Sequence, residues 1–263
     1  GLLHLREGTP FATYAHARVL AVLDGNPVFE VVSRALVPRR RLLPDTPVEL
    51  ADAAGNPLGL RVAPFLAPGK IPLYREGEVT QLDTAALEGD TLGLEIAETA
   101  RPDRRLVYLA NCARVTQAVR ERAAGADMLF MDGTLWRDDE MIVQGVGSKT
   151  AARMGHVAMS GPEGAIARLQ GVPIGRRIYI HVNNTNPALL ADSPERQELE
   201  AAGREVAEDG KELSLRVDNT QTCNRPKRSR RRCARSGRSA TISSTRSTAS
   251  CTPASSPAAR CRP

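Results

Sequence analysis

From residue 105 onward the chain alternates between two hydrophobic periods. "RLVYLA" (105–110) reads as a strand, "VTQAVRERAAG" (115–125) as a helix and "DMLFMDG" (127–133) as a strand. "EGAIARLQG" (163–171) then reads as a helix, "RRIYIHV" (176–182) as a strand and "SPERQELEAAG" (193–203) as a helix, with Ser193 as N-cap, Pro194 at the first helical position and Gly203 at the end. "REVAEDGKELSL" reads as a strand pair around an Asp-Gly turn. Strands and helices in alternation with short connections imply a layered α/β domain, and in such domains site residues sit just past strand ends. Three polar clusters occupy that place: "ANCAR" after 109, "DGTLWRDDEM" after 131 and "HVNNTNP" from 181.

The preceding part is less regular. "GLLHLREG" reads as a helix end closed by Gly8, "PFATYA" as a short strand, and "HARVLAVLDGNPVFEVVSRAL" as helical with an interruption at "DGNP". Residues 45–67 read as short strands around "DAAGNPLG", and 90–98 as a further strand. The stretch "GVGSKTAARMGHVAMSG" (145–161) is long, Gly-rich and poorly periodic. It is no phosphate loop, since "GVGSKT" lacks the GxxxxGK[ST] spacing. A loop of this length between regular elements more often covers a site than fills space.

Composition divides the chain. Residues 1–218 hold all 30 acidic residues and one cysteine, Cys112, whereas 219–263 hold no acid, eleven Lys/Arg and four cysteines. Removing those eleven from the 36 basic residues leaves 25 against 30 acids, so the first piece carries a net charge of −5. The basicity of the whole chain belongs to its tail, and no nucleic-acid partner is expected. Two segments follow: a domain over 1–215 and a basic Ser/Arg/Pro-rich tail over 216–263, expected to be disordered and to arise from a frameshift near 215–218. No apolar run reaches the roughly 18 residues of a membrane span, so no integral membrane segment is expected. One cysteine in the domain points to a cytoplasmic compartment. The chain begins on Gly1, and its true beginning is expected upstream.

Within the polar clusters several residues have the right chemistry. His181 stands at a strand end, where an imidazole is either a metal ligand or a partner of the adjacent loop. Asn183, Asn184 and Asn186 either hold that loop by Asx turns or contact a polar substrate. Asp132 is a ligand, an orienting carboxylate, a base or a turn residue. Asp138, Asp139 and Glu140 read as a solvated helix start, and Trp136 as a buried aromatic. His156 is a candidate proton donor or substrate contact. Cys112, with no adjoining histidine, reads as a small buried thiol. Lys70 and Tyr74 in "GKIPLY" either bind an anionic substrate or belong to a loop anchored by Pro72.

Taken in order, "PGKIPLY", "EGDTLGLEI", "DGTLWRDDEM", "MGHVAMSGPEG" and "HVNNTNP…DSPER" resemble the coenzyme PQQ synthesis protein B family of the metallo-β-lactamase-fold superfamily, over residues 1–215. The resemblance implies part of a metallo-β-lactamase-like αβ/βα sandwich missing its N-terminal portion, and a place in pyrroloquinoline quinone biosynthesis from a Glu-Tyr-derived precursor. It implies an iron-dependent oxygenase hydroxylating the tyrosine ring; the alternatives are a carrier moving the quinone or its precursor to the periplasm, and a zinc metallohydrolase. By resemblance His181 is the late strand-end metal ligand, Asp132 and His156 are catalytic, and the metal is iron(II) or zinc. The family's Asp/His metal motif and its structural zinc site lie upstream of Gly1, so this polypeptide alone is expected to be inactive. The expected partner is a small peptide-derived quinone precursor, and a homodimer stays open for the full-length protein.

Overall fold

The computed structural model describes residues 2–5, 8–69 and 90–215, all within one unit, Gly1–Asp218. After a 3-10 turn at Leu2–Leu5, β1 (Thr13–His16) pairs in parallel with β2 (Arg39–Leu42) across α1 (Ala17–Gly25) and a second 3-10 turn, Pro27–Val31. The interruption expected at "DGNP" falls between these two helical pieces, where the Asn26 side chain accepts from Val28 N–H and Pro27 opens the turn. The β2 pairing carries no sequence signal. Four residues, three of them arginine, show no alternation.

The remaining strands form one sheet of seven in sequence order. β3 (Val48–Ala51), β4 (Pro57–Leu66), β5 (Leu92–Glu98) and β6 (Arg101–Leu109) run antiparallel to their neighbours. α2 (Gln117–Ala123) then crosses to β7 (Met128–Asp132), which lies parallel to β6. Three helices of one turn, α3 (Glu140–Val143), α4 (Ala151–Met154) and α5 (Ala165–Arg168), lead to β8 (Arg176–Ile180), parallel to β7. A last crossover through α6 (Pro194–Ala201) reaches the two-residue edge strand β9 (Glu205–Val206). Sequential parallel neighbours joined by helical crossovers are what the alternating pattern calls for.

The core lies between one sheet face and these helices. Val107, Leu109, Leu129, Met131, Tyr179 and Val206 point to it from adjacent strands, and Val119, Ala123, Leu169 and Leu199 meet them from the crossovers. β7 is buried at four of five positions, hence its continuous apolar run instead of an alternation. Helix starts follow local chemistry: Thr116 Oγ1 accepts from Val119 N–H at 3.3 Å, and Ser193 Oγ from Arg196 N–H at 3.0 Å. On the opposite face Leu94, Ile96, Leu106 and Phe130 are half-buried and Tyr108 is exposed.

Three expectations are corrected. The helix expected over 163–171 narrows to Ala165–Arg168, because Gly164 packs against Ser160 so closely that a Cβ would sit 2.1 Å from the Ser160 carbonyl oxygen, and Gly171 turns the chain at φ 74°. The strand pair around Asp209-Gly210 is a single two-residue strand, and residues 211–215 are irregular. Glu140 is not a solvated helix-start residue. It is 5% exposed, and its carboxylate accepts from Trp136 N–H and from the Thr185 hydroxyl, both at 2.7 Å, which ties the Trp136 loop to the segment after β8.

Candidate functional site

β7 and β8 end side by side, with Asp132 paired to Ile180, so the next residue of β8's strand direction, His181, arrives beside the Asp132 carboxylate. Gly133 makes this approach possible. Its N–H donates to Ile180 C=O at 2.9 Å and its own C=O accepts from Asn186 Nδ2 at 2.9 Å, while a Cβ would lie 2.9 Å from the Tyr179 Cβ. Beyond the strand, Asn183 N–H donates to Thr134 C=O at 3.0 Å. His181 is therefore clamped from both sides, and it takes a left-handed conformation at φ 57°, uncommon for a residue other than glycine. His156 comes from farther away. It follows α4, whose C-cap Gly155 turns the chain at φ 88°, and the next residue, Val157, bonds to Cys112 C=O at 2.6 Å.

These segments gather Asp132, Thr134, His156 and His181 into one hydrogen-bonded set. Asp132 is fully buried, and its two oxygens accept four bonds: Oδ1 from Thr134 N–H at 3.1 Å and the Thr134 hydroxyl at 2.6 Å, Oδ2 from Cys112 N–H at 2.9 Å and His156 Nδ1 at 2.7 Å. Because the single Thr134 hydroxyl proton goes to Asp132, its oxygen can only accept from the imidazoles, from His181 Nδ1 at 2.9 Å and His156 Nδ1 at 3.1 Å. The network assigns the proton of both rings to Nδ1. Each neutral imidazole then keeps an unprotonated Nε2, the form needed by a metal ligand or a base.

The same contacts shift the acid and the His181 imidazole in opposite directions. Burial works to raise the Asp132 pKa, but hydrogen bonds from His156, His181 and Thr134 outweigh it, and the carboxyl is held below its ordinary value. That carboxylate, with its oxygen 3.9 Å from His181 Nδ1, raises the His181 pKa against the opposing effect of partial burial. At 3.9 Å the Asp132–His181 contact is too long for a hydrogen bond, and Thr134 supplies the bond that orients the ring. Cys112 is fully buried, and burial pushes its thiol up to about 12, so it is a packed side chain and no nucleophile.

Asp132, His156 and His181 each offer a donor atom within 4.8 Å of the others. With both Asp132 oxygens occupied by hydrogen bonds, the free donors are the imidazole Nε2 atoms, which suit a borderline cation such as zinc or iron(II) in type, and the carboxylate orients them. The rings of His156 and His181 lie 5.3 Å apart. The His181 side chain is 55% exposed, whereas His156 is 13% exposed and lines a cavity of ≈ 630 Å³.

The asparagines separate. Asn186 is 2% exposed and entirely committed: it donates to Gly133 C=O and caps the 3-10 turn Pro187–Leu189 by accepting from Ala188 N–H at 2.9 Å. Its expected substrate contact is corrected to a structural one, since no polar atom is left for a ligand. Asn183 donates to Thr185 Oγ1 at 2.8 Å and is half-buried, and Asn184 is exposed. Lys70 and Tyr74 lie outside the described residues. Trp136 is 5% exposed in the core, as expected. Thr134 escaped the sequence reading. A threonine directly after an Asp-Gly looks like turn filler, and only the offset from Asp132 signals a side chain able to reach the same carboxylate.

A family model described as "Beta-lactamase superfamily domain" matches residues 1–182. Coenzyme PQQ synthesis protein B of Rhodopseudomonas palustris (strain TIE-1) is 47% identical over 215 residues, 82% of this chain and 69% of the relative. The protein of that name from Gluconacetobacter diazotrophicus is 47% identical over 216 residues, 81% of this chain and 68% of the relative. The crystal structure of zinc(II)-bound PqqB from Methylobacterium extorquens superposes with a TM-score of 0.74 at 43% identity, covering 81% of this chain and 68% of that one.

Proposed function

Because the chain belongs to the coenzyme PQQ synthesis protein B family of the beta-lactamase superfamily, we propose that its Asp132–His156–His181 site serves pyrroloquinoline quinone biosynthesis as part of an iron(II)-dependent centre that hydroxylates the tyrosine ring of a Glu-Tyr-derived precursor. The observation that carries this reading is the Asp132–Thr134 network, which holds both imidazoles with Nδ1 protonated and Nε2 free. His181 Nε2 would hold the metal, and iron there supplies the redox chemistry of dioxygen, which zinc lacks. Asp132 and Thr134 keep the His181 ring in one orientation. His156, fixed by the same carboxylate and lining the cavity, exchanges the ring and phenol protons of the substrate through Nε2. Overall, one oxygen atom enters a ring C–H bond as hydroxyl. The other leaves as water, with two electrons and two protons from an added reductant. Asn183 and Asn184 line the strand-end loop as polar contacts.

The zinc in the Methylobacterium extorquens structure favours a second reading. With zinc as the native metal, the site binds the quinone or its precursor for delivery, or activates water for hydrolysis. The test is metal content and ring hydroxylation of glutamyl-tyrosine by the protein, with iron(II), oxygen and ascorbate. The same assay is run on the His181→Ala variant. Bound iron and turnover, both lost in the variant, are expected. Bound substrate with no turnover under any metal leaves the carrier.

A further inference from the structure

The ≈ 630 Å³ cavity beside His156 has a floor of small and apolar side chains, among them Val115, Val157 and Pro162, and three arginines, Arg114, Arg137 and Arg168. Two of the three cations are already neutralised at close range. Arg137 pairs with Asp139 at 3.2 Å and Arg168 with Glu163 at 2.9 Å. The remaining acid of the lining, Asp138, accepts from Ala152 N–H at 2.8 Å at the start of α4. Arg114 differs: among the described residues its exposed guanidinium has no ion pair and no hydrogen bond.

Its backbone, by contrast, is fixed to the site. Cys112 N–H donates to Asp132 Oδ2, Cys112 C=O accepts from Val157 N–H, and Cys112 Sγ donates to Arg114 C=O at 3.1 Å. The segment bearing Arg114 is thus bonded on one side to the carboxylate that orients His156 and on the other to the residue following His156. An unneutralised planar cation at the rim of an apolar cavity, held on the frame of a proton-transferring histidine, suits an aromatic ligand bearing a carboxylate.

We propose that Arg114 is a specificity-determining residue that pairs with the C-terminal carboxylate of the aromatic substrate while the ring lies in the cavity against Val115 and Val157, beside His156. This rests on the reading of His156 as the residue facing substrate, and it does not depend on the metal or on oxygen chemistry.

The experiment is calorimetric binding to the full chain without metal, in chelator, using glutamyl-tyrosine and its C-terminal amide as probes. Arg114→Gln is expected to weaken the acid about twofold to fivefold, the effect of one exposed charge pair, and to leave the amide unchanged. Arg114→Lys is expected to restore part of the difference. Equal affinity of wild type and Arg114→Gln for the acid overturns the proposal. So does an equal loss for acid and amide, or no binding of either probe to the wild type. Arg114-dependent binding without hydroxylation would sink the oxygenase and leave this subsite standing; turnover with Arg114-independent binding would do the reverse.

Discussion

Thr134 decides what the two histidines of the site can do. Its hydroxyl has one proton, and Asp132 takes it at 2.6 Å, so the oxygen is an acceptor for His181 Nδ1–H at 2.9 Å. Thr134→Val keeps the shape and removes both functions. The expected result is a 10- to 100-fold loss of metal affinity with little change in melting temperature, and recovery in Thr134→Ser, read by competition with a chromophoric chelator. Cys112 gives a second residue-level prediction. With its thiol pushed up to about 12, only about one molecule in 10⁴ carries the thiolate at pH 8. Iodoacetamide should leave the Cys112 peptide unmodified in the folded protein and alkylate it in denaturant, as peptide mapping would show. Asp132 and His181 were legible because a strand-end position announces itself in an alternating sequence. Thr134 was not, since nothing in sequence records that one hydroxyl serves two rings. The role of Asn186 stayed open because an asparagine that caps a turn and one that binds substrate are the same letter.

At the scale of elements, the site depends on how closely β7 and β8 end together, and Gly133 sets that distance. A methyl group there would lie 2.9 Å from the Tyr179 Cβ and 3.1 Å from the Ile180 carbonyl oxygen, atoms that cannot swing aside. Gly133→Ala should therefore push the Asp132 and His181 backbones apart. It is expected to cost about 1–3 kcal/mol, and to lower metal affinity as well, measured by thermal unfolding and chelator competition. Leu129→Ala, at a fully buried position of β7 away from the site, is expected to cost about 2–5 kcal/mol and leave the affinity of the folded fraction unchanged. The contrast separates spacing from stability. The strands β6, β7 and β8 were readable because burial on both faces or alternation marks them. β2 and the short helices α3 and α4 were not. Their residues follow no period, and the hydrogen bonds that make them, such as Thr150 Oγ1 accepting from Arg153 N–H at 3.2 Å, stabilise only a chain already held in place at both ends.

For the molecule as a whole, the sheet closes on an edge strand of two residues, too short to hold by backbone bonds alone. Val206 of this strand is buried in the core, and an ion pair adds to that hold. Arg176 of β8 grips Glu205 of β9 through Nε and Nη2 at 2.9 and 2.8 Å, and Lys211 adds a contact at 3.1 Å. These bonds, the Arg176 pair foremost and against the opposing effect of burial, pull the Glu205 carboxyl from 4.5 down to about 2. A depressed carboxyl contributes stability that is present in full above its unfolded value and is lost as pH falls through the folded one. The window therefore opens near pH 4.5 and closes near pH 2. Full conversion of the shift would give about 3 kcal/mol, but the side chain is a third exposed, and screening reduces the expected contribution to about 1 kcal/mol. Wild type and Glu205→Gln should thus differ in melting temperature by about 2–4 °C above pH 5, and the two curves should converge as the pH approaches 2. A gap that stays constant down to that pH would mean that β9 is held by its packing against Tyr179 and Ile178, and that the ion pair contributes nothing to the closure of the sheet.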